Sequence, residues 1–194
     1  MGTRILIVQG HPDGGRQHLC HALAAAYADG ARSAGHDVDS VEPARLRLPL
    51  LASQEEWESA APPLVVAAQE AIRRAQHLAF FYPLWLGDMP AMLKGFMEQV
   101  ARPGFAIDQA MRNPLRAGLL GGRSARLVVT MGMPALAYRW LYGAHSVRLM
   151  HRNILGFAGI APVRSTIVGG AGALDAARAE RWCARLHALG VAAR

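Results

Sequence analysis

Short apolar runs alternate with longer amphipathic stretches along the chain, which predicts strands alternating with helices. Most of the short runs are rich in aliphatic and β-branched side chains, a composition typical of strands buried on both faces. The run after residue 36 instead alternates polar and apolar residues, so its strand is predicted to be partly exposed. The five predicted strands cover residues 4–9, 37–42, 77–82, 125–130 and 161–168.

Apolar residues at three- and four-residue spacings predict helices between these strands. Two of them begin with proline, Pro62 and Pro90. Proline lacks an amide hydrogen, but the first amide of a helix has no hydrogen-bond partner within the helix, so no bond is lost. Gly35 is typical of the position just after a helix end. The predicted helices cover residues 17–34, 62–74, 90–101 and 173–192. A further helix of about twenty residues is predicted directly before the fifth strand.

This alternation indicates a parallel sheet with helices on both faces, an α/β fold. Five strands favour the doubly wound order 2-1-3-4-5 of flavodoxin-like folds over a six-stranded dinucleotide fold. The 194 residues contain no linker and no repeat, so we expect a single domain over 1–194. Two stretches, 43–61 and 102–123, are unusually long for loops, and long ordered loops on such a sheet are often functional.

Composition narrows the classes of partner. The 21 basic residues exceed the 14 acidic ones, which gives a net charge of +7. The arginines are scattered and no nucleic-acid motif is present, so the excess favours an anionic cofactor over nucleic acid. No apolar run approaches the roughly 20 residues of a membrane span, so we expect no integral membrane segment and a cytoplasmic protein. Neither the two cysteines nor the eight histidines show metal-ligand spacing, so no metal site is predicted.

Ligands of doubly wound sheets bind at the carboxyl ends of the strands. The loop after the first strand reads Gly10-His-Pro-Asp-Gly-Gly-Arg-Gln-His18 and enters a helix. Helix amides and basic side chains there can hold a phosphate, with His11, Arg16 and His18 adding donors or charge. The loop matches neither the nucleoside-triphosphate pattern nor G-x-G-x-x-G, and an ordinary glycine-rich turn is an equal alternative.

Two further loops carry candidate binding groups. The loop Tyr82–Pro90 places Trp85 where it could stack on a planar ring, although a core tryptophan is the alternative. In the loop after the fourth strand, Gly132 permits close approach of a ligand to the backbone. Tyr138 and His145 follow about two helical turns apart and could share one helix face. The alternative for this pair is a half-buried phenol and a surface imidazole.

Taken together, these motifs resemble the flavodoxin-like NAD(P)H:quinone oxidoreductases of the DT-diaphorase type and their bacterial relatives. The most specific segment is Tyr82-Pro-Leu-Trp85, which runs into Met89-Pro-Ala-Met-Leu-Lys-Gly-Phe96. Weaker matches continue in order through the chain. They are Gly10-His-Pro-Asp13, Pro103-Gly-Phe-Ala106, Thr130-Met-Gly132 and Asn153-Ile-Leu-Gly-Phe-Ala-Gly159.

The resemblance implies a bound flavin, a homodimer, and two-electron reduction of quinones or related acceptors by NAD(P)H. Hydride would pass through flavin N5 in two successive half-reactions. By position, it implies flavin-phosphate contacts at His11 and at Gln17, His18 and Leu19. It implies flavin-ring contacts at Pro83, Leu84, Trp85 and Leu86, and pyrimidine contacts at Thr130, Met131, Gly132 and Met133. Tyr138 matches a tyrosine near the reacting end of the flavin, and His145 resembles its partner histidine.

The chain departs from the family at the phosphate turn, where a serine is usual and Gly-Gly-Arg-Gln-His stands instead. Arg16 and His18 are expected to substitute for it. The spacing from Tyr138 to His145 is one residue longer than usual. The segment 43–61, with Gln54 and Trp57, could cover an adenosine, which slightly favours FAD over FMN. An equal alternative is that this segment forms a contact between the subunits of a dimer.

Two alternative functions remain compatible with the sequence. One is a flavodoxin-like regulatory subunit of a membrane transporter, in which the flavin or nucleotide site signals and does not turn over. The other is a nucleotide-binding enzyme without flavin.

Overall fold

In the computed structural model, which describes residues 2–108 and 118–194, five strands form one parallel sheet. The strands are β1 (Arg4–Gln9), β2 (Asp37–Val41), β3 (His77–Pro83), β4 (Ser124–Thr130) and β5 (Val163–Val168). Their order is 2-1-3-4-5, with every pair parallel. The predicted α/β class and strand order are therefore confirmed.

Helices connect the strands and cover both faces of the sheet. They are α1 (Leu19–Ser33), α2 (Pro43–Leu46), α3 (Gln54–Glu58), α4 (Pro63–Arg74), α5 (Ala91–Val100), α6 (Ala135–Trp140), α7 (His145–Leu149) and α8 (Ala176–Val191). Most observed bounds agree with the predicted ones to within three residues. Gly35 follows α1 with a φ of +77°, as expected for a residue just after a helix end.

The core consists of two apolar clusters, one on each face of the sheet. Side chains of successive strand residues point to opposite faces, so Ile5 and Ile7 join one cluster while Leu6 and Val8 join the other. The first cluster packs under α1 and α8. The second packs under α4 and α5. Burial on both faces explains why β3, with all seven residues buried, reads as an unbroken apolar run.

One prediction about the helices was wrong. The stretch before β5 is not one helix, because α6 ends at Trp140 and α7 begins at His145. Gly143 and Ala144 between them have φ values of +58° and +49°, which no right-handed helix contains. After α7 the chain continues as a π-helical segment over Met150–Gly156. Residues 43–61 contain α2 and α3, and residues 109–117 of the second long loop lie outside the described residues.

The packing of α1 against α8 depends on glycine. A Cβ on Gly190 would lie 2.1 Å from the backbone oxygen of Tyr27, and one on Gly30 would lie 2.0 Å from that of His187. Backbone oxygens cannot move aside without moving the helix, so α1 and α8 lie as close together as they do only with glycine at both positions.

We therefore expect Gly190→Ala to destabilise the protein, although alanine is the better helix former. Overpacking costs about 1–3 kcal/mol, against about 1 kcal/mol gained in helix propensity. Urea unfolding measures the difference. Gly172→Ala is the matched control, because no atom lies within 4 Å of its added Cβ. Equal stability of Gly190→Ala and the unmodified protein would contradict the close packing of these helices.

Candidate active site

The three predicted loops meet at the carboxyl edge of the sheet. The rings of His11, after β1, and Trp85, after β3, lie 6.1 Å apart and are nearly perpendicular. The thiol of Cys20, in the first turn of α1, contacts the hydroxyl of Thr130 at the end of β4, with 3.0 Å between the sulfur and the oxygen. The loops after β1, β3 and β4 thus lie side by side at this edge.

Three imidazoles cluster at the start of α1. His11 is only 7% exposed, and His18 stacks on it with ring centroids 4.0 Å apart. His21 lies one turn further along α1, with its ring 5.2 Å from that of His11 and 5.7 Å from that of His18. The sequence indicated His11 and His18 but not His21, although its spacing of three from His18 on a helix was the signal for it.

Hydrogen bonds determine which ring nitrogen carries the proton. Nδ1 of His11 accepts the amide of Asp13, and Nδ1 of His21 accepts the amide of His18, each at 3.1 Å. Neutral His11 and His21 therefore hold their proton on Nε2 and present it as a donor. Nε2 of His18 instead lies 2.9 Å from Oδ2 of Asp13.

The same surroundings shift the pKa values. Burial lowers the pKa of His11 and of His21, and the nearby His18 lowers both further. The hydrogen bond from His18 lowers the pKa of Asp13, and the amide of Gly15 acts in the same direction. Asp13 is consequently a carboxylate, while His11 and His21 favour the neutral form.

Free donors surround this cluster. The amides of Leu19 and Cys20 are the first two of α1 and have no backbone or side-chain acceptor among residues 2–108 and 118–194. Arg16 and Gln17 are exposed, and no ion pair to Arg16 is formed within those ranges. A helix start with free amides and an unpaired guanidinium can hold a phosphate. Within the described part of the chain, no group of side chains is arranged to hold a metal ion.

The second loop presents Trp85 on a rigid turn. The amide of Trp85 donates to the carbonyl of Asp88 at 2.8 Å, and the amide of Asp88 donates back at 3.0 Å. Leu86 and Gly87 between them have φ values of +48° and +85°, as in a type I′ turn. Trp85 is 52% exposed, so the alternative of a core tryptophan is wrong. Pro83 is buried at the end of β3, Leu84 is half-buried beside it, and Leu86 is exposed.

The third loop offers backbone to a ligand. Thr130 and Met131 are buried, whereas Gly132 is exposed, with no atom within 4 Å of where a Cβ would lie. Among the described residues, the amides of Gly132 and Met133 have no acceptor. Hydrogen bonds to the end of β5 hold this loop in place. The Met131 amide donates to the carbonyl of Val168, and the Gly170 amide donates to the carbonyl of Met133.

The structure does not place Tyr138 and His145 on one helix face. Tyr138 is only 2% exposed, and its hydroxyl has no hydrogen-bond partner among the residues described. Burial raises the pKa of Tyr138. His145 is exposed at the start of α7, which agrees with the surface alternative. Both catalytic roles stay predictions.

A polar contact that the sequence did not indicate joins the second loop to α7. The Ser146 hydroxyl donates to Oδ1 of Asp88 at 2.6 Å, and the same oxygen accepts the Met89 amide at 2.7 Å. Beside it lies Tyr82, whose buried hydroxyl has no partner in the described ranges and whose pKa is raised by burial. Ser146 and Asp88 are 58 positions apart, so no local spacing could indicate the contact.

Trp57 lies away from these loops. Its indole NH donates to the carbonyl of Ala101 at 3.3 Å, just after α5, while the loops meet at the opposite end of that helix. Ten helical residues separate the two ends by about 15 Å. Gln54 is exposed and donates to Glu58. The interpretation that Trp57 and Gln54 cover an adenosine stays a prediction. The earlier part of the segment, including Pro43, Leu48 and Leu50, lines a cavity of about 330 Å³ against α5.

Comparison with known proteins agrees with this description. The model of the family Flavodoxin_2, described as a flavodoxin-like fold, matches residues 3–189. The human ribosyldihydronicotinamide dehydrogenase [quinone] is 40% identical over 70 residues, which are 36% of this chain and 29% of that enzyme. The aligned part thus covers less than a third of that curated relative.

Solved structures match over nearly the whole chain. The NAD(P)H:quinone oxidoreductase from Methanothermobacter marburgensis is 26% identical with a TM-score of 0.81, covering 98% of this chain and 96% of that one. An FMN-dependent NADH-azoreductase from Bacillus anthracis, in complex with FMN, is 14% identical with a TM-score of 0.72, covering 98% of each chain. The second likeness shows the fold alone. Because the family model matches from residue 3 to residue 189, this chain is a member of the Flavodoxin_2 family of flavodoxin-like proteins.

Proposed function

We propose that this protein is a flavin-dependent oxidoreductase that uses NAD(P)H to reduce quinones or related acceptors by two electrons. The observation that carries the proposal is the meeting of an exposed tryptophan, free backbone amides and a helix start with an unpaired arginine at one edge of the sheet. Similarity to the quinone oxidoreductase from Methanothermobacter marburgensis and to the human quinone dehydrogenase supports the choice of substrates.

The donors on this surface fit the three parts of a flavin. Trp85 offers an exposed ring for stacking on the isoalloxazine, and Leu86 lies beside it. Gly132 and Met133 offer free amides for the pyrimidine edge. His11, Arg16 and the amides of α1 offer donors for a phosphate. In this proposal, each of the three chemical groups of the cofactor would meet residues of a different loop.

A bound flavin would supply the redox chemistry, accepting hydride from the nicotinamide and passing it to the quinone after NAD(P)⁺ has left. The protein's own residues would bind the flavin and orient it. The I′ turn keeps the Trp85 ring in place, and Asp88 ties this turn to α7 through Ser146. The free amides of the third loop would offset negative charge on a bound flavin, and Tyr138 and His145 are the side chains proposed to assist them.

We also propose a homodimer. Four large hydrophobic side chains within seven residues are exposed around α6, with Trp140 at 83% exposure. They are Leu136, Trp140, Leu141 and Tyr142. Apolar side chains grouped in this way on a small protein mark an interaction surface. The surface follows the third loop directly, so a second copy bound there would border the flavin site.

Of the two flavins, we propose FAD. The cavity of about 330 Å³ between residues 43–50 and the start of α5 lies next to the phosphate turn, where Ala44 and Arg45 neighbour Gly14. An adenosine leaving the phosphate site would enter an apolar cavity of the size typical of ligand sites. FMN would leave this cavity without an occupant.

The isolated protein tests the function. We expect it to bind flavin, identified by mass spectrometry of the released cofactor, and to oxidise NAD(P)H only when a quinone is present. If the protein binds flavin but shows no quinone-dependent oxidation of NAD(P)H, the proposed enzymatic activity is contradicted. That result would favour a regulatory subunit of a transporter. Binding of a nucleotide without any flavin absorbance would favour an enzyme that uses no flavin.

Replacing the stacking ring should weaken flavin binding more than folding. We expect Trp85→Ala to cost about 1–3 kcal/mol of flavin affinity, by analogy with bases stacked on aromatic side chains. Fluorescence titration measures the affinity and thermal unfolding measures the stability. Trp182→Ala on α8 is the control, because that half-buried tryptophan lies outside the three loops. An unchanged affinity together with a lowered Tm would assign Trp85 to the fold alone.

If the Tyr138 hydroxyl assists hydride transfer, Tyr138→Phe should slow flavin reduction while leaving the flavin bound. Loss of a strong donor costs about 2.7–4 kcal/mol, and sharing with backbone amides reduces this. Anaerobic stopped-flow mixing with NAD(P)H isolates this step. Tyr27→Phe is the matched control, since its buried hydroxyl also has no partner among the described residues but belongs to the other core cluster. Reduction of Tyr138→Phe at the unmodified rate would remove the residue from the catalytic set.

A further inference from the structure

One side of α8 carries three arginines and a tryptophan. Arg178, Arg181 and Arg185 are exposed, and Trp182 is half-buried among them. Helix residues three and four positions apart are neighbours on the surface, so these four side chains form one group, called here the arginine face. Together they line a pocket of about 190 Å³. We propose that the arginine face docks the protein on an anionic lipid membrane by binding its phosphate groups. This docking needs neither a flavin nor a quinone.

The charges of the arginine face are not neutralised by the protein. Among the residues described, none of its three guanidiniums forms an ion pair. The nearest acidic residues in sequence are Asp175 and Glu180. Asp175 caps the helix, because its Oδ1 accepts the amide of Arg178 at 2.7 Å. The positions three and four residues from Glu180 hold only alanines and Cys183, so Glu180 lies on another side of α8.

Other helices of the protein treat their arginines differently. Arg32, Arg45 and Arg73 each form an ion pair with an acidic residue three positions earlier. On α8 the same spacings join arginine to arginine, and like charges so placed destabilise a helix. A bound anion removes this repulsion, and the planar guanidinium can donate two parallel hydrogen bonds to a phosphate.

Positive charge continues from α8 toward the edge of the sheet. Arg164 is exposed on β5, the edge strand, and is the register partner of Arg126 on β4. Val128, two residues after Arg126, belongs to the cluster under α1 and α8, so both arginines point to the α8 face of the sheet. Burial lowers the pKa of Arg126, and the like charges of Arg164 and Arg185 lower it further. Arg164 therefore adds a fourth exposed charge near the arginine face.

The shape of this side of the protein favours a lipid surface over nucleic acid. α1 lies so close beside α8 that a Cβ on Gly30 or Gly190 would collide with the other helix. A DNA major groove is about 12 Å wide and admits one helix, whereas two adjacent helices form a broad layer. The Arg185 guanidinium lies 5.1 Å from the centre of the Trp182 ring. That side of the ring is therefore not free to stack on the base of a single strand.

A membrane offers what these side chains need. Its phosphates lie in one broad plane, and an anionic surface attracts basic residues that lie within a Debye length of it. Arg178 and Arg185 are separated by seven residues, about 10 Å along the helix, so both reach the same plane. Tryptophan is enriched at the level of the headgroups, which suits the half-buried Trp182.

Vesicle sedimentation tests the proposal with four proteins. Vesicles contain phosphatidylcholine alone or with about 40% phosphatidylglycerol, an anionic lipid. The unmodified protein is compared with a variant in which Arg178, Arg181 and Arg185 are all replaced by glutamine, and with one in which all three are replaced by lysine. The control replaces three ion-paired arginines by glutamine and removes the same net charge. These arginines are Arg32, Arg73 and Arg74.

We expect the unmodified protein to bind only the anionic vesicles and to be released at about 0.5 M salt, where charges are screened within a few ångströms. Glutamine on the arginine face should lower the affinity roughly a hundredfold, because each basic residue near the surface contributes about fivefold. The control should lose less than about threefold, since its arginines lie elsewhere and are screened. The lysine variant should bind within about threefold of the unmodified protein, because its charge is kept.

Equal losses in the two glutamine variants would overturn the proposal, because net charge alone would then explain the binding. Loss of binding in the lysine variant with an unchanged Tm would also overturn it, since charge at these positions would not suffice. The proposal fails as well if the unmodified protein binds neutral vesicles equally well, or binds no vesicles. A DNA duplex added in a parallel gel-shift assay covers the remaining case, in which binding to DNA without binding to vesicles assigns the arginine face to nucleic acid.

Discussion

The parallel pairing of β1 with β3 and of β3 with β4 is the constraint on which the site depends. Parallel neighbours end at the same edge of a sheet, so the loops that follow these three strands must start side by side. The sequence positions of these loops span more than a hundred residues, and nothing but the sheet brings them together. The contact of Cys20 with Thr130, 110 positions away, shows how closely they meet.

At this edge of the sheet, the backbone and the side chains offer different chemical groups. Turns hold the backbone in place, such as the I′ turn at Leu86 and Gly87, and leave amides pointing outwards. Side chains then add what amides lack, which is an exposed aromatic ring at Trp85 and an unpaired guanidinium at Arg16. A thiol is not part of this chemistry, because burial raises the pKa of Cys20 to about 11 and keeps it protonated.

The electrostatics of the phosphate turn differ from what net charge suggests. The chain carries a charge of +7, yet the turn combines one unpaired arginine, three imidazoles and a carboxylate. Its charge therefore depends on protonation and not only on composition. Elsewhere in the described chain, several arginines have an acidic partner close in sequence, as in Arg45 with Glu42 and Arg73 with Glu70. No described helix is long and apolar enough to cross a membrane.

The sequence by itself determined the elements and their order, because apolar runs and helical spacings are local patterns read within ten or twenty residues. It also predicted which loops meet at the carboxyl edge of the sheet, since a strand that ends in glycine or proline marks its own carboxyl end. Prediction from the sequence failed where the backbone conformation of single residues decides the direction of the chain. At Gly143 and Ala144 two left-handed residues divide the predicted helix, so Tyr138 is buried and His145 is exposed.

Only the tertiary structure decided which polar groups face one another. The tautomers of His11 and His21, the pairing of Asp13 with His18 and the bond of Ser146 to Asp88 all depend on distances of about 3 Å, the ordinary length of a hydrogen bond. The contact of the Trp57 indole with the carbonyl of Ala101 is another example, because the two residues are 44 positions apart. Residue type shows what a side chain can do, but its direction and partners are set by the packing of distant segments.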